Sequence, residues 1–271
     1  MSELKSGISN PESAICIDQL GKSIHLPQAP LRIVSLVPSQ TELLFDLGLD
    51  REVLGITKFC VHPDSWFRNK TRVGGTKKLN IELIRSLQPN LVIANKEENT
   101  IEDVIAIEAF CPVWTSDISN IPEAFEMISS IGALTGTFDK AKDLVNGIKN
   151  ALVSIDKGPG YRCAYMIWKD PWMVAGGGTF INDMVNACGL INVYGDQTRY
   201  PTIELSDLVN NGIQILLLSS EPFPFKMNDL EALSNILPGV KIKIVDGEIF
   251  SWYGSRMLSA AKYFKTMLKD F

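Results

Sequence analysis

A cysteine and a histidine two positions apart are the side chains whose types and spacing most directly suggest chemistry in this 271-residue sequence. Cys60 and His62 would project to the same side of an extended segment. A thiolate and an imidazole are both good ligands for transition metals. Glu97 or Glu98, in the loop after an apolar run, are candidate third ligands. The sequence therefore offers a metal site, for a free ion or for a metal already held in a chelate; the alternative is a structural role for Cys60 and His62.

The small number of histidines limits the catalytic chemistry. His25 and His62 are the two histidines of the chain, so a three-histidine metal site is excluded, and a Ser-His-Asp hydrolase would have to use one of them. No nucleophile and base stand at a spacing typical of a catalytic pair. The sequence therefore predicts a protein that is not an enzyme and that holds no tightly bound cofactor.

Composition and charge exclude several other classes of protein. Apolar residues make up 45% of the chain and charged residues 21%, which is typical of a globular protein. The net charge is -5, without a block of like charge that could follow a phosphate backbone, so we expect no nucleic-acid partner. No run approaches the ~20 apolar residues that span a bilayer, so we expect no membrane span.

The N-terminal residues and the cysteines bear on the compartment. The first residues are polar and lack the basic start and apolar stretch of a secretory signal, so we expect a cytoplasmic protein or a chain from which a leader has been trimmed. An odd number of widely spaced cysteines favours reduced thiols over a disulfide framework. The five are Cys16, Cys60, Cys111, Cys163 and Cys188.

Alternating apolar runs and amphipathic segments predict an α/β fold. Residues 32–37 are typical of a buried parallel strand, and residues 38–48 of a helix with Ser39 and Thr41 as capping residues and a glycine stop. The same order of helices and short strands continues downstream, which predicts a parallel sheet covered on both faces. Ligands of such sheets bind beyond the carboxyl ends of the strands, so we expect binding residues just after each apolar run.

The second half of the chain repeats the first. Residues 80–94 align without gaps on residues 204–218, and Asn90 matches Gln214. This repeat predicts two related α/β lobes with parallel sheets. Apolar residues three and four apart over residues 141–155 predict one long helix that joins the lobes, and an ordinary lobe helix with a flexible linker is the alternative. The predicted organisation is a hairpin and tail (1–30), an N-terminal lobe (31–136), a linking helix (137–158) and a C-terminal lobe (159–271).

Aromatic residues follow several apolar runs or lie in loops rich in proline and glycine. Burial in a single core is less automatic at such positions, so the set suggests a flat or apolar ligand, and core packing is the alternative for each member. The residues are Phe59, Trp66, Trp168, Trp172, Tyr200, Phe250, Trp252 and Tyr253.

Two phrases and the linking helix carry a resemblance to a known family. The stretch Arg-Ile-Val-Ser-Leu-Val-Pro-Ser-Gln-Thr-Glu-Leu (32–43) and the stretch Leu-Gln-Pro-Asn-Leu-Val-Ile-Ala (87–94) resemble those of the class III substrate-binding proteins of ABC importers. The likeness is strongest to the cobalamin and ferric siderophore receptors of that family. It implies two Rossmann-like lobes joined by one long helix, with a cobalamin-like corrinoid, a haem or a ferric siderophore held in the cleft between them.

The resemblance also implies ligand-binding residues, with several aromatic positions changed. The contacting loop falls on Pro38, Ser39 and Gln40. The aromatic contacts fall on Phe59, on Thr76 and Asn95 where tryptophan is lost, on Met173 in place of phenylalanine and on Tyr200 in place of tryptophan. Trp172, the acidic residue Glu248, Phe250 and Trp252 complete the predicted set, and Lys58 would help to orient the ligand.

Docking to an ABC permease is a further implication of the resemblance. The family uses one surface glutamate on each lobe; the first falls on Glu82, and the second falls on Ser206, with Asp207 beside it. The family disulfide is incomplete, because Cys188 matches one partner and Lys265 stands at the other position.

These observations together predict a monomeric, non-enzymatic receptor for a metal chelate that serves an ABC importer of the periplasmic type. The alternatives are a protein that binds a free transition-metal ion through Cys60, His62 and Glu97 or Glu98, and a cytosolic protein that handles corrinoids or other chelates.

Overall fold

The chain begins with an antiparallel hairpin. The computed structural model describes residues 14–26, 29, 32–155, 157 and 160–271, so most of the predicted N-terminal tail lies outside the described residues. Strands β1 (Ala14–Ile17) and β2 (Ser23–Leu26) pair in antiparallel register. The turn between them uses Gly21 at φ +84°, a conformation that glycine adopts without steric cost.

A parallel sheet follows, as the apolar runs predict. Among the described residues five strands pair in parallel in the order β5-β4-β3-β8-β9, and the short pair β6-β7 forms a separate antiparallel hairpin. The strands are β3 (Ile33–Ser35), β4 (Val53–Ile56), β5 (Thr71–Arg72), β6 (Gly74–Gly75), β7 (Lys78–Leu79), β8 (Leu91–Asn95) and β9 (Val113–Ser116). The helices are α1 (Pro38–Asp46), α2 (Asp64–Asn69), α3 (Ile81–Ser86) and α4 (Ile101–Glu108). Every residue of β8 is buried, which explains its continuous apolar run.

Two helices follow this sheet. They are α5 (Ile121–Leu134) and α6 (Phe138–Val153), and Gly136 at φ +70° lies between them. Helix α6 occupies the predicted linking segment and ends five residues before the predicted boundary at 158.

The second sheet is mostly parallel. In this part of the described chain β10 pairs in parallel with β12 and β13, β13 pairs in parallel with β14, and β11 adds an antiparallel edge to β10. The strands are β10 (Arg162–Trp168), β11 (Met173–Val174), β12 (Ile191–Asn192), β13 (Ile215–Ser219) and β14 (Lys241–Val245). The helices are α7 (Phe180–Ala187), α8 (Leu205–Asn210), α9 (Met227–Ile236), α10 (Gly247–Ser251) and α11 (Met257–Met267), followed by a 3-10 turn at Leu268–Asp270.

Two compact units result. One comprises the described residues up to Asp117 together with Ser129–Ala141, and the other comprises Ile118–Ile128 and Lys142–Phe271. These boundaries differ from the predicted ones because the chain changes unit three times, after Asp117, within α5 and within α6. The α/β class with two Rossmann-like lobes is therefore as the sequence predicts, and α6 begins in the first unit and ends in the second.

The internal repeat is visible in hydrogen bonds as well as in element boundaries. Helix α8 and strand β13 lie at the same offset of 124 residues from α3 and β8. At the amino ends of the strands, the Arg32 backbone N–H donates to the side chain of Asn90, and the Arg162 backbone N–H donates to the side chain of Gln214. The two arginine side chains donate to the carbonyls of Leu87 and Asn211, which are also equivalent positions. The repeat predicted from the sequence thus extends to these hydrogen bonds of Arg32 and Arg162.

The cysteines are unpaired, and no described helix is long and apolar enough to cross a membrane. Cys60, Cys111, Cys163 and Cys188 are buried, and Cys16 is partly exposed. Cys188 packs in the interior of the second unit with its thiol near the carbonyl of Val185.

Candidate functional site

A buried polar network joins the carboxyl ends of three parallel strands in the first unit. The Gln40 amide donates to the Ser116 hydroxyl at 2.5 Å, and the Asn95 amide donates to the same hydroxyl at 3.0 Å. Ser116 in turn donates to the carbonyl of Ala94 at 3.2 Å. Gln40 follows β3, while Asn95 and Ser116 end β8 and β9, so the network fixes this edge of the sheet.

The network extends to the β6-β7 hairpin. The Asn95 side-chain oxygen accepts from the backbone N–H groups of Glu97 and Glu98, which is an Asx turn. The Asn99 side chain accepts from the backbone N–H of Asn95 and donates to the carbonyl of Thr76. Asn99 therefore links Asn95 to Thr76, and these hydrogen bonds support the loop at the edge of the site.

The start of α1 differs from the predicted cap. The N-cap is Val37, and no side chain caps the helix, because the Thr41 hydroxyl lies instead within hydrogen-bond distance of the Ser35 hydroxyl and the Val37 carbonyl. Ser39 is buried with only 6% exposure. The Oε1 atom of Gln40 is buried without a partner among the described atoms. The first turn thus keeps uncapped backbone N–H groups, which suit an anionic or carbonyl oxygen.

A pocket lies beside this network in the first unit. It has a volume of about 840 Å³ and is lined by Lys58, Phe59, the hairpin and the start of α3, including Glu82. The Phe59 side chain is 50% exposed, and the Lys58 ammonium lies 5.0 Å from its ring centroid. A Cβ added at Gly75 would lie 3.2 Å from Lys58 Cε and from Phe59 Cε2, so both side chains rest on the glycine. Phe59 and Thr76 thus line one pocket, and their role as ligand contacts stays a prediction.

The predicted metal site is not formed. No three His, Cys, Asp or Glu side chains of the described residues lie close enough to hold a metal ion. Cys60 is fully buried, with its sulfur 3.1 Å from the Thr41 hydroxyl and 3.2 Å from the Thr57 hydroxyl. Burial raises the pKa of the Cys60 thiol, which favours the protonated form over the thiolate that binds metals. The described residues therefore do not bring Cys60, His62 and Glu97 together as a three-ligand set, and Cys60 has the buried placement that a structural role requires.

Glu97 and Glu98 belong to the loop instead. Lys77 donates through its ammonium to the carbonyl of Glu97. Burial raises the pKa of the Glu98 carboxyl, and the charge of Lys77 opposes that shift. Lys77, in the turn of the β6-β7 hairpin, thus connects this loop to the lining of the pocket.

In the second unit, a carboxylate organises the carboxyl edge of the sheet. Oε1 of Glu221 accepts from the Ser251 hydroxyl at 2.8 Å and from the Trp252 indole N–H at 2.9 Å. The Ser219 hydroxyl, at the end of β13, lies 3.0 Å from the Tyr165 hydroxyl. A Cβ at Gly247 would meet Glu221 and Ser219 at 2.6 Å, so the backbone closes tightly over this network.

The last predicted binding residues have different surroundings. Glu248 forms an ion pair with Arg256 at 2.7 Å, and the Arg256 guanidinium lies 4.7 Å from the Trp252 ring centroid. Phe250 is fully buried and packs on Tyr165, so it belongs to the core. Its predicted role as a ligand contact is not supported by this placement, because the ring has no exposed face.

The remaining predicted contacts lie elsewhere in the same unit. Trp172 stacks on Phe225 with the rings 8° from parallel, and this pair packs against the core. Met173 begins β11 and is half-buried. Tyr200 is half-buried, with the Arg199 guanidinium 5.5 Å from its ring centroid.

The predicted docking residues occupy equivalent helices. Glu82 lies in the first turn of α3, is exposed, and is 3.9 Å from Arg85. Ser206 is exposed in the first turn of α8. The Asp207 carboxylate accepts from the backbone N–H of Glu204 and so completes a capping box.

Four residues of these networks were missed in the sequence. Ser116 and Glu221 stand at or just after the ends of β9 and β13, where the rule for binding residues points, so the signal was present. Asn99 and Arg256 carry no local signal, because their roles depend on contacts with Thr76 and Glu248.

Comparison with known proteins agrees with this geometry. The family described as "Periplasmic binding protein" matches residues 33–241, and the chain belongs to this family. An uncharacterized ABC transporter substrate-binding lipoprotein of Bacillus subtilis (strain 168), YvrC, is 29% identical over 202 residues, which span 70% of this chain and 63% of that protein. The vitamin B12-binding protein of Vibrio vulnificus (strain CMCP6) is 22% identical over 204 residues, 73% of this chain and 74% of that protein.

A solved structure shows the fold. The periplasmic haem-binding protein HutB of Vibrio cholerae superposes with a TM-score of 0.77 at 20% identity, covering 88% of this chain and 98% of that chain. The match to the family described as "Periplasmic binding protein" confirms the predicted family, and the chain is a binding protein rather than an enzyme.

Proposed function

We propose that this protein captures a metal chelate as the substrate-binding protein of an ABC importer. The observation that carries the proposal is the half-exposed Phe59 ring, held with Lys58 on Gly75 at the wall of the 840 Å³ pocket. A half-exposed ring in a pocket of this size suits a small molecule with an apolar or aromatic body.

The hydrogen-bond network beside the pocket supports a role in ligand binding rather than in catalysis. The side-chain amides of Gln40 and Asn95 both donate to the Ser116 hydroxyl and hold the edge of the sheet in one arrangement. A preorganised edge lowers the entropy lost when a ligand is ordered on it. The relatives named for vitamin B12 and haem agree with a chelate as cargo and with an extracytoplasmic place of action.

Ligand titration tests the proposal. Cyanocobalamin, haemin and ferrioxamine B are titrated by fluorescence and calorimetry against the full chain. We expect at least one chelate to bind with a Kd below ~100 μM, which corresponds to about 5.5 kcal/mol. Failure of all of them, and of iron(III) tris(catecholate), would overturn the proposal.

The importer role has its own test. Genes for a permease and an ATPase beside this one are expected, and purified permease should retain the wild-type protein more strongly than the Glu82→Lys variant. Glu231→Lys, a change of the same charge at an exposed position on α9, is the control. Equal retention of both variants and the wild type would contradict docking through Glu82.

A further inference from the structure

We infer that the chelate is an anion, recognised by a lysine-rich wall of the pocket beside Phe59; this inference rests on the proposed function and specifies its substrate class. The wall consists of Lys58, Lys77 and Lys78, with Glu82 as the acidic residue of the same lining. The local charge is thus opposite in sign to the net charge of the chain, which is -5.

The first lysine is held in place by its neighbours. The backbone N–H of Lys58 donates to the carbonyl of Gly74 at 2.8 Å, and its side chain rests on Gly75. Its ammonium stands 5.0 Å from the Phe59 ring centroid. A cation over a half-exposed aromatic ring matches a ligand that carries an acidic group at the edge of an apolar body.

The second lysine is positioned by the loop after β8. The Lys77 ammonium donates to the carbonyl of Glu97, whose own backbone N–H is held by Asn95. The polar network at the strand ends thereby reaches the charged wall. Lys78 stands next in the chain, in β7, and is exposed.

The three lysines of the lining outnumber its one acidic residue, Glu82. Glu82 lies at the start of α3 near Arg85, which offsets its charge. Glu98 is outside the lining, and burial raises the pKa of its carboxyl while the charge of Lys77 opposes that shift. A ligand with ionised carboxylate or catecholate groups would meet net positive charge there, whereas a neutral or cationic chelate gains nothing from it.

Matched ligands test the charge directly. Haemin carries two propionates and iron(III) tris(catecholate) is a trianion, whereas the dimethyl ester of haemin, cyanocobalamin and ferrioxamine B carry no carboxylate and no net negative charge. We expect an anionic chelate to bind roughly tenfold or more tightly than its neutral counterpart, with affinity that falls as salt rises.

Variants assign the effect to the wall. Lys58→Gln and Lys77→Gln should each weaken binding of the anionic chelate several-fold, and by a larger factor than they weaken binding of an uncharged chelate. Lys142→Gln, at an exposed position on α6, is the matched control and should have no effect. Circular dichroism checks that each variant is folded.

The outcomes separate this inference from the proposed function. Binding of cyanocobalamin or ferrioxamine B in preference to the anions, or anion binding that is indifferent to both lysine variants, would overturn the inference and leave the receptor proposal standing. Failure of every chelate would overturn both.

Discussion

The side-chain amide of Gln40 donates to the hydroxyl of Ser116, 76 residues later in the chain, at 2.5 Å. Both residues are fully buried, and Asn95 shares the same hydroxyl. One small oxygen therefore joins the carboxyl ends of β3, β8 and β9, and through Asn99 it also supports the hairpin that lines the pocket.

Removal of this oxygen should destabilise the first unit. In Ser116→Ala, the Gln40 and Asn95 amides lose their shared acceptor, and unsatisfied buried polar groups cost about 1–3 kcal/mol. The free energy of unfolding is measured by urea denaturation. Ser234→Ala removes an exposed hydroxyl on α9 and should change stability by less than ~0.5 kcal/mol. Equal effects of the two variants would show that the network contributes nothing beyond a local bond.

Truncation of Phe59 should affect binding much more than folding. Phe59 is 50% exposed, so its change to alanine removes little core, while the ligand loses its aromatic contact and affinity falls by about tenfold. Phe138, 56% exposed on α6, gives a control with the same chemistry. Chelate titrations of Phe59→Ala and Phe138→Ala check this, and the prediction does not survive if both bind like the wild type.

Replacement of Glu98 should stabilise the protein at neutral pH but not in acid. Its pKa is raised in the folded state, because burial disfavours the charged carboxylate. Between the unfolded and the folded pKa, the folded state therefore binds more protons than the unfolded state. Below the unfolded pKa the carboxyl has no effect on the free energy of unfolding. As pH rises through the folded pKa, the buried carboxylate lowers that free energy. Glu98→Gln removes that cost.

Melting temperatures test this pH dependence. Glu98→Gln should melt above the wild type at pH 7.5 and equal it at pH 4. Glu102→Gln, at an exposed position on α4, is the control and should show no such pH-dependent difference. A loss of stability at pH 7.5 in Glu98→Gln would mean that attraction to Lys77 outweighs burial.

Native thiol reactivity should be restricted to one position. Burial raises the pKa of Cys60 and of Cys163, and it raises the pKa of Cys111 and Cys188 to about 12, so all four stay protonated and shielded at pH 8. Cys16 is partly exposed and should react first with a disulfide reagent. Thiol titration should detect about one fast-reacting thiol in the native wild-type protein and none in native Cys16→Ser. In urea, the wild-type protein should show five. Fast reaction of Cys60 would contradict its burial.

The repeat and the elements could be predicted because they depend on local patterns. The aligned helices α3 and α8 have matching bounds, since each is set by a polar residue before an apolar run. Phe59 and Thr76 could be placed in one pocket only through the resemblance, because 16 residues, including α2 and β5, lie between them in the chain.

The absence of a three-ligand cluster around Cys60 in the described residues has a physical reason. Two residues on one extended segment project to the same side, but the pattern does not say whether that side faces solvent or core. Cys60 is turned into the core toward Thr41 and Thr57, where no exposed ligand can join it. Phe250 shows the same ambiguity, since an aromatic residue after a strand is equally suited to a pocket and to a core.

At the amino ends of the strands, the backbone N–H of Arg32 donates to Asn90 and that of Arg162 donates to Gln214. The pocket beside Phe59 lies at the opposite, carboxyl edge of its sheet. The hydrogen bonds at the amino ends of the strands and the proposed binding residues thus lie at opposite edges of the first sheet. Under the proposed function, substitutions at the carboxyl edge would change which ligand binds and leave the contacts at the amino edge intact.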